Sequence, residues 1–105
     1  MTPKRIAPAG LISVGFQTIT LSNSTAQALN STCRLASVID FSVETNDARM
    51  RADGTNPTLT TGVLYKKDLT YRFEGNPNSA NFKFQRTTGT SKISVQAWRY
   101  AGGDR

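Results

Sequence analysis

Arg49 and Arg51 stand one residue apart in the segment ETNDARMRADGTNPT, Glu44 to Thr58, and run directly into Asp53-Gly54-Thr55 and then Pro57. On a strand, side chains at i and i+2 point to one side of the pleated ribbon, so the two guanidinium groups would project together. A planar guanidinium binds a carboxylate or a phosphate through two parallel hydrogen bonds. The pair could therefore grip a nucleic acid, an acidic partner surface or a carboxylate of the same chain. The plainer reading is an outward strand face paired to Glu44, Asp47 or a cross-strand acid, an arrangement that carries little energy when exposed.

Other chemistry is sparse. The chain has no histidine and one cysteine, Cys33, so the commonest general base, the commonest metal ligand and any intrachain disulfide are missing. Arg34 could lower the pKa of the Cys33 thiol, but no imidazole exists to complete a dyad, and a half-buried structural cysteine is the expectation. Asp40, Glu44, Asp47, Asp53 and Asp68 offer oxygen ligands, yet the sequence around Asp53 lacks the alternating ligands and terminal glutamate of a calcium loop. Asn23-Ser24-Thr25 and Asn30-Ser31-Thr32 fit the glycosylation sequon and are read as loop residues, because the first sixteen residues make a poor signal peptide. No enzyme, no cofactor and no metal are expected.

The elements that would position the arginines are strands. At 105 residues the chain suits one domain, and its hydrophobic fraction of 37% with abundant Thr, Ser and Asn leans towards β-structure. In LASVIDFSVE, Leu35, Ile39, Phe41 and Val43 fall on one face while Asp40, Ser42 and Glu44 fall on the other. FQTITLS is rich in β-branched residues, with Gly15 before it as a bulge or bend. ARMRA sets Ala48, Met50 and Ala52 against the arginines, and Asp53-Gly54 supplies a turn able to take positive φ. GVLY, LTYRFEG and NFKFQ read as three further strands, the last two placing Leu69, Tyr71 and Phe73, and then Phe82 and Phe84, inward. KISVQAWRY puts Ile93, Val95 and Ala97 inward and Trp98 and Tyr100 on the opposite face.

Short strands separated by turn signals predict an all-β domain, a single antiparallel β-sandwich or jelly-roll-like barrel. The expected boundaries are an extended N-terminal arm over residues 1–14, the sandwich over 15–100 and a C-terminal tail over 101–105. No stretch approaches a membrane span, and a cytoplasmic synthesis without export is the default expectation.

The net charge of +6 favours anionic partners. Basic residues interleaved with aromatics in NFKFQR and AWRY suggest single-strand binding, but alternation sends Phe82 and Phe84 into the core. An outward Trp98 and Tyr100 fit a protein interface better, where aromatic anchors dominate binding. They could equally be covered by an arm of the same chain, and a carbohydrate-binding sandwich has only these two aromatics in its favour.

From Glu44 onward the pattern resembles a segment of small virion proteins of tailed bacteriophages: an acid and Asn-Asp, an Arg-x-Arg strand, Asp-Gly-Thr, Pro-Thr, then a glycine opening the next strand. The similarity continues more loosely through GNPNSANFKFQRTTGTSKISVQAWRY and departs at Lys66-Lys67-Asp68, where a Gly-Asp turn would be usual. The resemblance implies an all-β structural subunit of the virion, a capsid cement or decoration protein that binds the major capsid protein or another virion subunit and forms a homo-oligomer. A tail or head-to-tail junction protein of the same fold is the variant, and a nucleic-acid-binding β-barrel the rival class. In this view Arg49 and Arg51 lock the Asp-Gly-Thr loop through Asp47 or Asp53, or bridge to acids on a neighbouring subunit.

Overall fold

A computed structural model describes residues 10–101. Eight strands follow in chain order: β1 (Leu11–Leu21), β2 (Gln27–Ala28), β3 (Val38–Glu44), β4 (Ala48–Arg51), β5 (Val63–Tyr65), β6 (Thr70–Phe73), β7 (Lys83–Arg86) and β8 (Ser91–Tyr100). The only helical element among the described residues is a single 3-10 turn at Ser79–Asn81.

The strands form two four-stranded sheets, ordered β1-β8-β3-β6 and β2-β7-β4-β5, with every pairing antiparallel. Strand one pairs with eight, two with seven, three with six and four with five. This nesting is what results when a long antiparallel ribbon is rolled over on itself, and it is the jelly-roll connectivity. The all-β sandwich expectation is met.

Period-two alternation explains which side of each strand is buried. In β3, Ile39, Phe41 and Val43 are buried, and in β8 so are Ser91, Ile93, Val95 and Ala97. From the second sheet, Ala48, Met50 and Phe84 close on them. Phe41 sits at the centre of an aromatic cluster, edge-on to Tyr65 (centroids 5.2 Å apart) and Phe84 (5.3 Å) and stacked on Phe73 at 5.8 Å. Each such buried side chain contributes roughly 1.5–3 kcal/mol relative to leaving it in water.

Several expectations need correction. The arm does not extend to residue 14, because β1 already begins at Leu11, where it pairs with Tyr100. Gly15 bends the strand without ending it: the register with β8 shifts between Ser13 and Gly15, leaving Val14 as the extra residue of a bulge. A Cβ on Gly15 would lie 2.7 Å from Thr32 Oγ1, so only glycine lets the loop after β2 pass so close. The remainder of the expected arm, residues 1–9, and the tail from 102 to 105 lie outside the described residues.

The segment around the two sequons, read as loop, holds the short strand β2 and sends Leu29 and Cys33 into the core, closing one open side of the sandwich. Leu35 was expected inward and is instead 85% exposed. It falls in the turn before β3, where the strand alternation does not yet apply. Leu69 is likewise exposed, just ahead of β6.

Candidate functional site

Strand β4 carries out the arginine prediction at the level of geometry. Ala48 and Met50 are buried, and Arg49 and Arg51 project together from the outer face of the second sheet, both half-buried. What they grip is the loop between β4 and β5. Arg51 donates through Nε to Asp53 Oδ1 (3.2 Å) and through Nη2 to Asp53 Oδ2 (2.5 Å). The Thr55 amide donates to the same carboxylate at 3.1 Å. Together these bonds hold the Asp53 carboxyl at a pKa of about 2, Arg51 being the larger cause and the Thr55 amide the next.

Arg49 departs from the expected acid partner. Its Nε donates to the Leu59 carbonyl at 3.1 Å and its Nη1 to the Gly62 carbonyl at 3.0 Å. One rigid fork thus spans both ends of a turn in which the Thr61 carbonyl accepts from the Thr58 amide at 2.9 Å. Pro57 is buried beneath, and Gly62 sits at φ +135° with the space for a Cβ closed by Arg49 Cβ and Pro57 Cβ, both at 3.1 Å. Gly54, at φ +84°, donates its amide to the Asn81 carbonyl. The Arg-x-Arg and Asp-Gly-Thr-x-Pro elements therefore form one internal lock that folds the loop back over its own sheet.

Asp47, the other proposed partner, is engaged elsewhere. It accepts from the Lys67 amide at 2.8 Å and from Lys66 Nζ at 3.1 Å. These contacts lower its pKa, the Lys67 amide most, and they fix the turn in which Asp68 takes φ +69°. The Lys66-Lys67-Asp68 departure from the phage pattern thus builds its own turn.

Trp98 and Tyr100 are not the open aromatic anchors expected of them. Both are half-buried. Trp98 Nε1 donates to Asp40 Oδ2 at 2.8 Å, and Arg72, directly across the β3–β6 pair, donates to both Asp40 oxygens at 2.6 and 2.8 Å. Asp40 is held ionised, its pKa lowered chiefly by the Arg72 hydrogen bond against an opposing effect of burial, with Trp98 helping. Tyr100 accepts at its hydroxyl from the Gly75 amide at 3.1 Å, drawing the β6–β7 loop over the end of the first sheet. Each ring is thus tied by its polar atom to a neighbouring strand or loop of the sandwich, and the arms expected as cover lie in residues 1–9 and 102–105, outside the described residues.

Beside the Trp98–Asp40–Arg72 cluster lies a shallow depression of about 190 Å³, lined by Phe16, Asp40, Ser42, Thr70, Ser94 and Gln96. Phe16, at its wall, is 61% exposed. Other exposed apolar residues are Val63 and Leu64 on opposite faces of edge strand β5, Leu59 in the loop before it and Leu69 just ahead of β6, with Lys66 and Lys67 exposed between. Sequence reasoning singled out none of these as surface residues. Val63 and Leu64 are both exposed because β5 is a short edge strand, which alternation alone does not reveal, and Leu59 and Leu69 lie outside the strands.

Cys33 is fully buried rather than half-buried, and burial pushes its thiol pKa up. Both sequons are turn residues: Asn23 Oδ1 accepts from the Thr25 amide, and Asn30 Oδ1 from the Cys33 amide. Among the described residues no three His, Cys, Asp or Glu side chains come together as a metal site would require. Comparison with protein-family models, with curated proteins and with solved structures found no match.

Proposed function

We propose that the chain is a non-enzymatic structural subunit of a tailed-bacteriophage virion, a cement or decoration protein that attaches to the head lattice in many copies. The observation that carries a structural role is the β5 edge. Val63 and Leu64 stand exposed on it, with Leu59 exposed in the loop before it and Lys67 just after, groups suited to an apolar contact with an acidic rim on a neighbouring subunit. Many weak contacts of this kind add up when a subunit is bound in a lattice. The virion assignment rests on the likeness of residues 44–62, and more loosely of 75–100, to phage virion proteins. The internal lock made by Arg49, Arg51 and Asp53 gives that motif a physical reason to be kept together as a unit.

A nucleic-acid role has less support. Phe82 and Phe84 are core, Trp98 and Tyr100 are tied to Asp40 and Gly75, and the freely exposed Phe16 lies on a strand without cations. Base stacking beside phosphate-tracking cations needs both on one surface.

The test is co-sedimentation of the purified protein with phage heads, beside single-stranded DNA, over a salt series. Saturable binding to heads that survives moderate salt is the expected result, and copy number per particle then separates head surface from tail or junction. Binding to DNA alone, falling with a log-log salt slope of about −0.7 per phosphate contacted, would overturn the proposal.

A further inference from the structure

The first sheet ends in a strand that natural proteins normally protect. β1 runs for eleven residues, LISVGFQTITL, at the edge of the β1-β8-β3-β6 sheet. The usual safeguards of an edge are lysines, a proline, strong bulging along its length or a covering loop, and here the Gln27 side chain caps the outward carbonyl of Thr20 near the end of the strand. β1 has neither charge nor proline, and its one bulge falls near its start, between Ser13 and Gly15.

Beyond the bulge the backbone parity can be read from neighbouring bonds. The Thr20 carbonyl accepts from the Gln27 side chain, away from β8. Backbone polar groups alternate sides along a strand, so those of Phe16 and Thr18 point the same way, out of the sheet. Among the described residues no backbone group bonds to them.

Charge gives a second, independent observation. The chain carries a net +6, yet between Arg5 and Arg34 there is no charged residue at all. β1 itself is therefore built from neutral residues, with Ile12 and Phe16 exposed at 47% and 61%. Lys92 and Arg99 lie one strand in, opposite Thr20 and Ile12 at its two ends, while Arg34 and Arg86 hold the Leu29 and Asn23 carbonyls in the segments beyond the strand. For a cationic protein meeting its own copy, β1 is an edge that brings no cation of its own.

We propose that two copies of the chain pair through β1, antiparallel about a two-fold axis near Gln17, joining their first sheets into one continuous eight-stranded sheet. Phe16 of each copy then lies opposite Thr18 of the other, and the outward N–H and C=O groups of both exchange hydrogen bonds. An isologous contact of this kind is self-complementary by symmetry and closes at two subunits. It is carried by the free edge and the charge gap, not by the phage likeness, and β5 remains open for other partners.

The experiment is sedimentation velocity on the full chain over a concentration series, with Thr18→Pro, Thr18→Lys and, at the opposite edge, Leu64→Lys. Proline at 18 removes the outward N–H without touching the β1–β8 ladder. It would raise the dimer dissociation constant by roughly thirtyfold, the equivalent of two symmetry-related backbone hydrogen bonds. Lysine at 18 installs a charge on each side of the axis and should also give monomer, with the far-ultraviolet circular dichroism of the parent. Leu64→Lys should remain a dimer. A parent that is monomeric at every concentration, a Thr18→Lys variant that dimerises as the parent does, or a Leu64→Lys variant that falls apart equally would each overturn the proposal. If Thr18→Pro fails to fold, Thr18→Lys decides. Head binding is read in a separate assay, so either proposal can fail alone.

Discussion

Replacing Arg49 tests whether the arginine pair is a lock or a charged surface. Among the described residues Arg49 makes no ion pair; it holds the Leu59 and Gly62 carbonyls, the first exposed and the second partly buried. A hydrogen bond from a charged donor is worth about 1.5–3 kcal/mol when shielded and much less when solvated. Losing both should therefore cost about 1–2 kcal/mol. For a domain of this size that lowers the unfolding temperature by roughly 5–15 °C. Arg49→Lys should lose nearly as much, since one ammonium cannot span two carbonyls at opposite ends of a turn. Arg51→Ala should lose less, because its partner Asp53 is on the surface and the pair is open to water. Thermal melts by circular dichroism give the order, and subtilisin nicking between residues 52 and 62 reports whether the loop has come free. If Arg49→Ala and Arg49→Lys melt like the parent and resist nicking equally, or if Arg51→Ala proves the more damaging, the lock is not what these arginines are for.

Acid should weaken the fold. Asp40 and Asp47 both have folded pKa values below the ordinary 3.8, so the stability they contribute is complete above that value and is lost as pH falls through their lowered pKa values. The unfolding temperature should be level above about pH 5 and decline below about pH 4; a melting temperature that rises on acidification would contradict this. Cys33 should be inert to a water-soluble disulfide reagent in the native protein and react fully after denaturation, because its thiol is buried and its pKa raised. Rapid stoichiometric reaction under native conditions would show that the β2–β3 connection does not close the core as described.

Alternation made most of the sandwich legible. The inward sets Ile39, Phe41, Val43 and Ile93, Val95, Ala97 follow from their order in the chain, as does the shared face of Arg49 and Arg51. Leu35 and Leu69 misled because each lies just outside a strand, where period-two reasoning has no force. Cys33 and Leu29 were not legible as core, since a polar loop gives no periodic signal and their burial is decided by the sheet they fold against. Trp98 and Tyr100 did fall on the outer face of β8, as their positions indicate. Whether that face is open depends on Asp40 and Gly75, whose nearness comes from strand order and loop path. The partner of Arg49 was hidden for a related reason: backbone carbonyls leave no trace in residue identity.

The nested pairing also dictates the order in which the chain can be completed. β4 and β5 find each other across the single loop of residues 52–62, whereas Leu11 must wait for Tyr100. During synthesis the first long strand to be made has its partner made last. Until then an uncharged, β-prone segment has nothing of its own chain to pair with, and it is in this interval that the protein is most exposed to mispairing with its neighbours.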